Sequence, residues 1–311
     1  MANPTRDTTA GRVYNDLRNL ARRTSRSTDE VMVEYLLERF LYRLAQSPLG
    51  REHFVLKGGL LLAQFGARRM TRDIDILGRS FPGTETEIIR RIAAIAATES
   101  DDGVVFDPTA LKTVPIREED EYHGLRLSMA ASIARARLKL QLDVSFGDPV
   151  TPGPQLIDYS QQLTEESFQI FGYPLATVIA EKLSTAVSLG DLNTRDRDYG
   201  DLYRLLTLND LDGQELTTAL TATATHRGIP LKPLSSTITD LGERRQTSYT
   251  AWRRRQGPAA TSYPERFTDV VRQVIAFADT LLNGDAVNLT WSAATLTWSP
   301  TGPGRPTRSS G

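Results

Sequence analysis

The chain has no cysteine. That absence rules out a disulfide framework, a thiolate-ligated zinc site and a thiol nucleophile. It fits a reducing, cytoplasmic setting. Histidine is nearly as scarce: His53, His123 and His226 are the three present, far apart and without ligand spacing. They give no support to a histidine-ligated zinc centre or to a Ser-His-Asp triad. No apolar run is long enough to span a bilayer, and the first residues show no apolar core of a secretory signal, so no membrane partner is expected. An excess of charge of one sign is missing too. The 37 Lys and Arg against 38 Asp and Glu leave a formal net charge of −1, which does not indicate a globally basic nucleic-acid binder but allows local basic patches. Nor is there a Gly-x-x-x-x-Gly-Lys-Ser/Thr stretch, which argues against a P-loop enzyme.

What is present is a chain of ordinary globular composition, long enough at 311 residues for two domains. Residues 10–48 read as helices; the second starts at Ser27 or Thr28 with acids in its first turn and an apolar stripe of Val31, Tyr35, Leu36, Phe40 and Leu44. A short apolar run, Phe54 to Leu56, leads to Gly58 and Gly59, then to a predicted helix over "LLLAQFGARR" and a strand at "DIDIL". Residues 83–100 read as an amphipathic helix. A pair of strands is predicted in "GLRLSMAASIARARLKLQLDVSFGD", the second alternating Leu138, Leu140, Leu142, Val144 and Phe146 against Lys139, Gln141, Asp143 and Ser145. "VTPGPQ" reads as a turn and a domain boundary. Helices are then predicted over 174–189, 197–208, 213–226, 233–256 and 263–283, and the Pro/Gly/Ser-rich end reads as disordered. The expected division is N-terminal helices in 1–50, a mixed α/β core in 51–160, a helical domain in 161–285 and a disordered tail in 286–311.

The strand period of two places Asp73 and Asp75 on one face. Two carboxylates so close repel unless a cation lies between them, and Mg²⁺ or Mn²⁺ takes hard oxygen ligands of this kind together with phosphate oxygens. Asp143 joins them if its strand is a neighbour, giving three acids suited to displacement at phosphorus. The plain alternative is a solvated strand face. Gly58 and Gly59, between a strand and a helix, would let a phosphate approach the backbone closely, although turns use glycine for many other reasons.

Taken together, Gly58-Gly59, Asp73 with Asp75, and Asp143 resemble the nucleotidyltransferases of the DNA polymerase-β type. The second half is similar to the AbiEii/AbiGii toxin family, which includes the MenT toxins. It carries Tyr173-Pro174, then Ala180-Glu181-Lys182-Leu183, then Arg195 or Arg197 with Asp198 and Asp201, in the family's order over about residues 50 to 210. The resemblance implies an α+β fold: a polymerase-β-type nucleotidyltransferase core, a mixed sheet with helices, followed by a mainly helical C-terminal domain. It implies Asp73, Asp75, Lys182 and Asp198 as catalytic residues, with Asp201 competing for the last place. Asp73, Asp75 and Asp143 become the metal ligands, and Gly58, Gly59, Thr71, Arg72 and Lys182 the nucleotide-binding residues. By the same resemblance Thr71 is a candidate site of regulatory phosphorylation. Lys182 also stands out by position: it falls within the apolar stripe of its helix, so it must either snorkel to solvent or face a polar cavity.

Arg68, Arg69 and Arg72 flank the acids and could meet triphosphate or RNA, or form a solvated loop. Arg244, Arg245, Arg253, Arg254 and Arg255, with Tyr249 and Trp252 among them, form a candidate RNA-binding surface, against the alternative of a charged helix face. The expected function is that of a toxin of a toxin–antitoxin system. It would transfer a nucleotide from an NTP to the 3′ acceptor end of tRNA with Mg²⁺ (or Mn²⁺), block aminoacylation and translation, and have a cognate antitoxin protein as partner. The alternatives are nucleotidyl transfer to a small molecule or protein, or a catalytically degenerate binding module. That last reading would be favoured by Asp73 and Asp75 salt-bridged to Arg68 or Arg72 with no metal bound.

Overall fold

A computed structural model describes residues 4–118 and 122–301. It divides into two compact units. Of the described residues, the first takes 4–64, 68–118, 122–148 and 154–173; the second takes 65–67, 149–153 and 174–301.

The first unit runs α1 (Thr9–Arg23), α2 (Thr28–Gln46), α3 (Pro48–His53), β1 (Phe54–Lys57), α4 (Gly58–Leu61), β2 (Ile74–Gly78), α5 (Glu85–Ala96), β3 (Val104–Glu118), β4 (Tyr122–Ile133), β5 (Ala136–Phe146), β6 (Gln155–Ser160) and β7 (Ser167–Gly172). Its seven strands form one sheet in the order β3-β4-β5-β2-β1-β7-β6. β2 pairs parallel with β5, and β1 with β7; the other neighbours are antiparallel. The sheet is therefore mixed, as expected. Register divides its centre into two kinds of row. Leu56, Ile76, Val144 and Leu125 are successive partners across β1, β2, β5 and β4, and all four are buried. The adjacent row, on the opposite face, is Lys57, Asp75, Asp143 and Arg126.

Helix α2 packs against this sheet, buried on most of its surface. Ser27 is its N-cap, its hydroxyl accepting the Glu30 amide hydrogen bond at 3.1 Å. Because α2 is enclosed, its charged residues need internal partners. Arg43 donates to both oxygens of Asp102 at 2.6 and 3.1 Å and to the Thr98 carbonyl at 3.0 Å. Glu38 accepts from Arg39 at 2.7 Å and from the Gln162 amide at 2.7 Å.

The second unit is mainly helical: α6 (Leu175–Leu189), α7 (Asp196–Leu208), β8 (Leu211–Asp212), α8 (Gly213–His226), α9 (Leu241–Arg244), α10 (Gln246–Arg255), α11 (Phe267–Leu282), β9 (Leu289–Ser292) and β10 (Thr297–Pro300). β8, β9 and β10 make a small antiparallel sheet.

Four expectations change. The helix predicted over 60–69 is a single turn followed by a 3₁₀ turn, Leu62–Phe65, and the chain turns away at Gly66 with φ +74°. The boundary drawn at 160 lies too early, because β6 and β7 extend the first unit to residue 173, and the N-terminal helices belong to that same unit. The helix predicted over 233–256 is a 3₁₀ turn followed by two shorter helices. The predicted tail is folded over 289–300: Trp291 is buried, its Nε1 donates to the Leu206 carbonyl at 2.9 Å, and the Trp298 ring stacks on Phe277 at 5.1 Å. Two tryptophans bury enough surface to order a short hairpin that its Pro/Gly/Ser-rich flank obscured. The rest of the predicted tail, 302–311, lies outside the described residues. No described helix is long and apolar enough to cross a membrane.

Burial pushes the Glu38 carboxyl up from 4.5 to about 7, against the pull of Arg39 and the Gln162 amide. An acid that binds its proton more tightly when folded destabilises the fold as pH rises from its unfolded to its folded pKa. Glu38→Gln should therefore gain stability relative to the wild type between about pH 5 and about pH 8, read as the difference in urea midpoints. A constant difference across that range would contradict the assignment.

Candidate functional site

The site is built on the polar row. Parallel register sets Asp75 directly beside Asp143, and Asp73 precedes Asp75 by one strand period. Their carboxylate oxygens lie within 4.8 Å of one another, and they are the one group of its kind among the described residues. Three carboxylates offer hard oxygen ligands, which suits Mg²⁺ or Mn²⁺ better than a soft metal. Asp75 shows the strain of this gathering. Burial first, then the charges of Asp73 and Asp143, push its carboxyl up to about 6, and Lys57 and Arg69 offset only part of the shift. A cation among the three acids would relieve that repulsion, so the residues present fit the metal the chemistry calls for.

Gly58 makes room for them. Its φ is +67°, and a Cβ there would sit 1.9 Å from Asp75 Oδ2 and 2.5 Å from its Cγ. Both backbone and space thus require glycine. Gly59 is close to Thr71 and Arg69: a Cβ would lie 3.0 Å from the Thr71 hydroxyl and 3.1 Å from the Arg69 guanidinium. Thr71 in turn donates to Asp73 Oδ1 at 2.7 Å.

The structure separates the flanking arginines. Arg72 pairs with Asp29 at 2.6 Å, both side chains well exposed, and Arg68 pairs with Glu34 at 2.9 Å. Neither takes the acids of the site, which removes the observation that would favour a degenerate module. It also leaves Arg69 as the arginine at the glycine turn, a residue sequence reading did not rank above its neighbours.

In the second unit, Lys182 on α6 donates to Asp198 Oδ1 at 2.6 Å and Asp201 Oδ2 at 2.9 Å on α7. All three side chains are largely buried. Lys182 therefore does not snorkel. Burial pushes the Asp198 carboxyl up, but the charge and hydrogen bond of Lys182, with Arg197 and Arg195 behind, outweigh it and hold Asp198 below the usual carboxylate range. Asp198 and Asp201 are three residues apart and share a helix face.

The basic cluster differs from its expected form. Tyr249 and Trp252 are buried; Tyr249 stacks on Phe267 at 4.5 Å, and Trp252 lies where a Cβ on Gly200 would touch its ring at 2.4 Å. They are core, not platforms for bases. Arg244 bonds Asp240 and the Asp191 carbonyl, Arg245 bonds Asp196 at 2.8 Å, and Arg253 donates to the Tyr263 carbonyl at 3.0 Å. Arg254 and Arg255 are exposed.

A family model, the nucleotidyl transferase AbiEii toxin of type IV toxin–antitoxin systems, matches residues 39–273. The chain belongs to this family. Membership in the AbiEii family makes it a nucleotidyltransferase-family toxin of a toxin–antitoxin system, with an antitoxin as the partner the family implies. Among solved structures, the chain is similar to a candidate nucleotidyltransferase from H. pylori, at 15% identity and a TM-score of 0.47, covering 83% of this chain and 97% of that one. It is also similar to JHP933 from Helicobacter pylori, at 13% identity and a TM-score of 0.34, covering 73% and 95%. No curated protein matches.

Two cations of the polar row escaped the sequence reading. Lys57 donates to Asp148 Oδ2 at 2.9 Å and lies over the Tyr173 ring at 5.2 Å. Arg126 donates to both oxygens of Asp143, at 2.7 and 2.6 Å. The signal for Arg126 was arithmetic: the hairpin closes with Ile133 opposite Ala136, and counting back pairs 126 with 143.

Gly58→Ala should displace the Asp75 carboxylate and lower nucleotidyl transfer by about 100-fold, while Gly59→Ala, with looser contacts, loses less. Initial rates with α-labelled NTP and thermal melts check this; a Gly58→Ala protein with the wild-type rate would contradict it.

Proposed function

We propose that the chain transfers a nucleotide from an NTP to the 3′ acceptor end of tRNA and so blocks aminoacylation and translation. The observation that supports the transfer chemistry is the meeting of Asp73, Asp75 and Asp143 beside a glycine that leaves Asp75 its space; the tRNA acceptor is what the resemblance to the toxin family implies. In the proposal Asp73, Asp75 and Asp143 hold a divalent cation, and Thr71 fixes the orientation of Asp73 through its 2.7 Å hydrogen bond. Such a cation supplies stabilisation of charge on the phosphate oxygens. Gly58 and Gly59 let the backbone approach the triphosphate. The acceptor hydroxyl gives up its proton to solvent and forms the new bond to the α-phosphorus, the bond to the bridging oxygen breaks, and pyrophosphate leaves.

By the family resemblance Lys182 is assigned to the activity, with Asp198 and Asp201 holding its ammonium in place. Both acids contact it, so either could be the acid of this motif. Arg72 fits nucleotide binding less well than Arg69, given its exposed pair with Asp29. Of the basic cluster, Arg254 and Arg255 are the residues best placed to meet an RNA backbone, because Arg245 and Arg253 serve a buried carboxylate and a carbonyl and Arg244 is paired with Asp240 at the surface. A phosphate on Thr71 would add negative charge beside Asp73 and replace its hydrogen bond with repulsion, a route to regulation.

Asp73→Ala should abolish transfer of label from an α-labelled NTP to purified tRNA and relieve growth arrest on expression, with the melting transition retained. Parallel incubations with total protein and with small-molecule acceptors distinguish the alternative substrates. Full transfer by Asp73→Ala would remove the metal site from the account.

A further inference from the structure

Arg126 is engaged with the third acid in a manner that conflicts with metal binding. It stands opposite Asp143 in the β4–β5 register and donates to both carboxylate oxygens, Nε at 2.7 Å and Nη2 at 2.6 Å. This fork-on-fork contact satisfies the directions along which Asp143 would otherwise meet a cation. Arg126 is the more exposed partner, at 46% against 16% for Asp143, so the guanidinium can leave toward solvent while the carboxylate stays. The charges of Asp73 and Asp75 act on Arg126 as well as that of Asp143. Its positive charge thus partly does what a metal ion would do, from the Asp143 end of the row.

We propose that Arg126 is a nucleotide-binding residue that occupies Asp143 until metal and nucleotide arrive together, and then turns to the triphosphate. This rests on the metal reading of the three acids. A bare divalent cation must approach a carboxylate already holding a guanidinium, and two cations a few ångströms apart on one carboxylate repel. A metal bound to triphosphate brings its own negative charge and gives Arg126 new oxygens to fork. The side chain therefore opposes the metal alone and favours the metal–nucleotide complex, which couples the two ligands through one movable group.

The coupling predicts effects of opposite sign in one variant. Arg126→Ala should bind Mn²⁺ alone about tenfold more tightly than the wild type, by electron paramagnetic resonance of the free ion, and bind preformed Mn²⁺ complexes of α,β-methylene ribonucleoside triphosphates, each tested in turn, about tenfold more weakly. Arg126→Lys, a charge without the fork, should fall between on both measurements. A purely structural pair would move both affinities down together, and an idle one would move neither; either result overturns the proposal. Asp143→Asn reports on the underlying reading. If the wild type and Asp143→Asn both fail to bind Mn²⁺, with or without nucleotide, the metal site itself is wrong. If Asp143 matters and Arg126 does not, only the present inference fails.

Discussion

Two carboxylates held side by side by parallel strand register are the constraint from which the rest of the site follows. Asp75 and Asp143 cannot move apart without breaking the β2–β5 pairing that buries Ile74, Ile76, Leu142 and Val144 on the other face. The hydrophobic face thus enforces the electrostatic strain of the polar one. The sheet answers that strain with positive charge at each end of the row: Lys57 on β1 and Arg126 on β4. The order runs positive, negative, negative, positive across four neighbouring strands. Asp73 adds a third negative charge, and the Asp75 carboxyl is raised by burial first and then by the charges of Asp73 and Asp143, with Lys57 and Arg69 offsetting part of the shift.

The second unit handles charge differently. One ammonium, that of Lys182, serves two buried acids on the next helix, and its field keeps Asp198 ionised despite burial. Removing one member of so enclosed a group leaves the others uncompensated. Nearby, Asp196 is buried and paired with Arg245, so much of the arginine-rich stretch is committed to holding helices together. The distinction between arginines that carry structure and arginines left exposed is one that composition does not reveal.

Much of the candidate site was legible because strands have a period of two. That period placed Asp73 with Asp75 and put Asp143 on the polar face of its strand, and the apolar alternation of β5 is present as read. Lys182 was legible for the converse reason, a charge in an apolar helix stripe. Arg126 was not, because its place depends on hairpin register, and the turn at Ala134-Arg135 has no glycine or asparagine to mark it although Ala134 adopts φ +48°. β6 buries only Tyr159 fully and leaves Leu156 exposed, so it carries no clean alternation, and without it β7 was missed and the first unit drawn too short. The basic cluster misled because Tyr249 and Trp252 look the same in sequence whether they stack on a base or fill a core; what decides is Gly200 and Phe267, distant in the chain.

The central claim is that Asp73, Asp75 and Asp143 together hold a divalent cation. Anomalous diffraction from crystals grown with Mn²⁺ and a non-hydrolysable NTP tests it most directly. The account predicts a manganese peak within about 2.3 Å of a carboxylate oxygen from each of the three residues. A peak elsewhere, or nucleotide bound with no manganese at these acids, would contradict it.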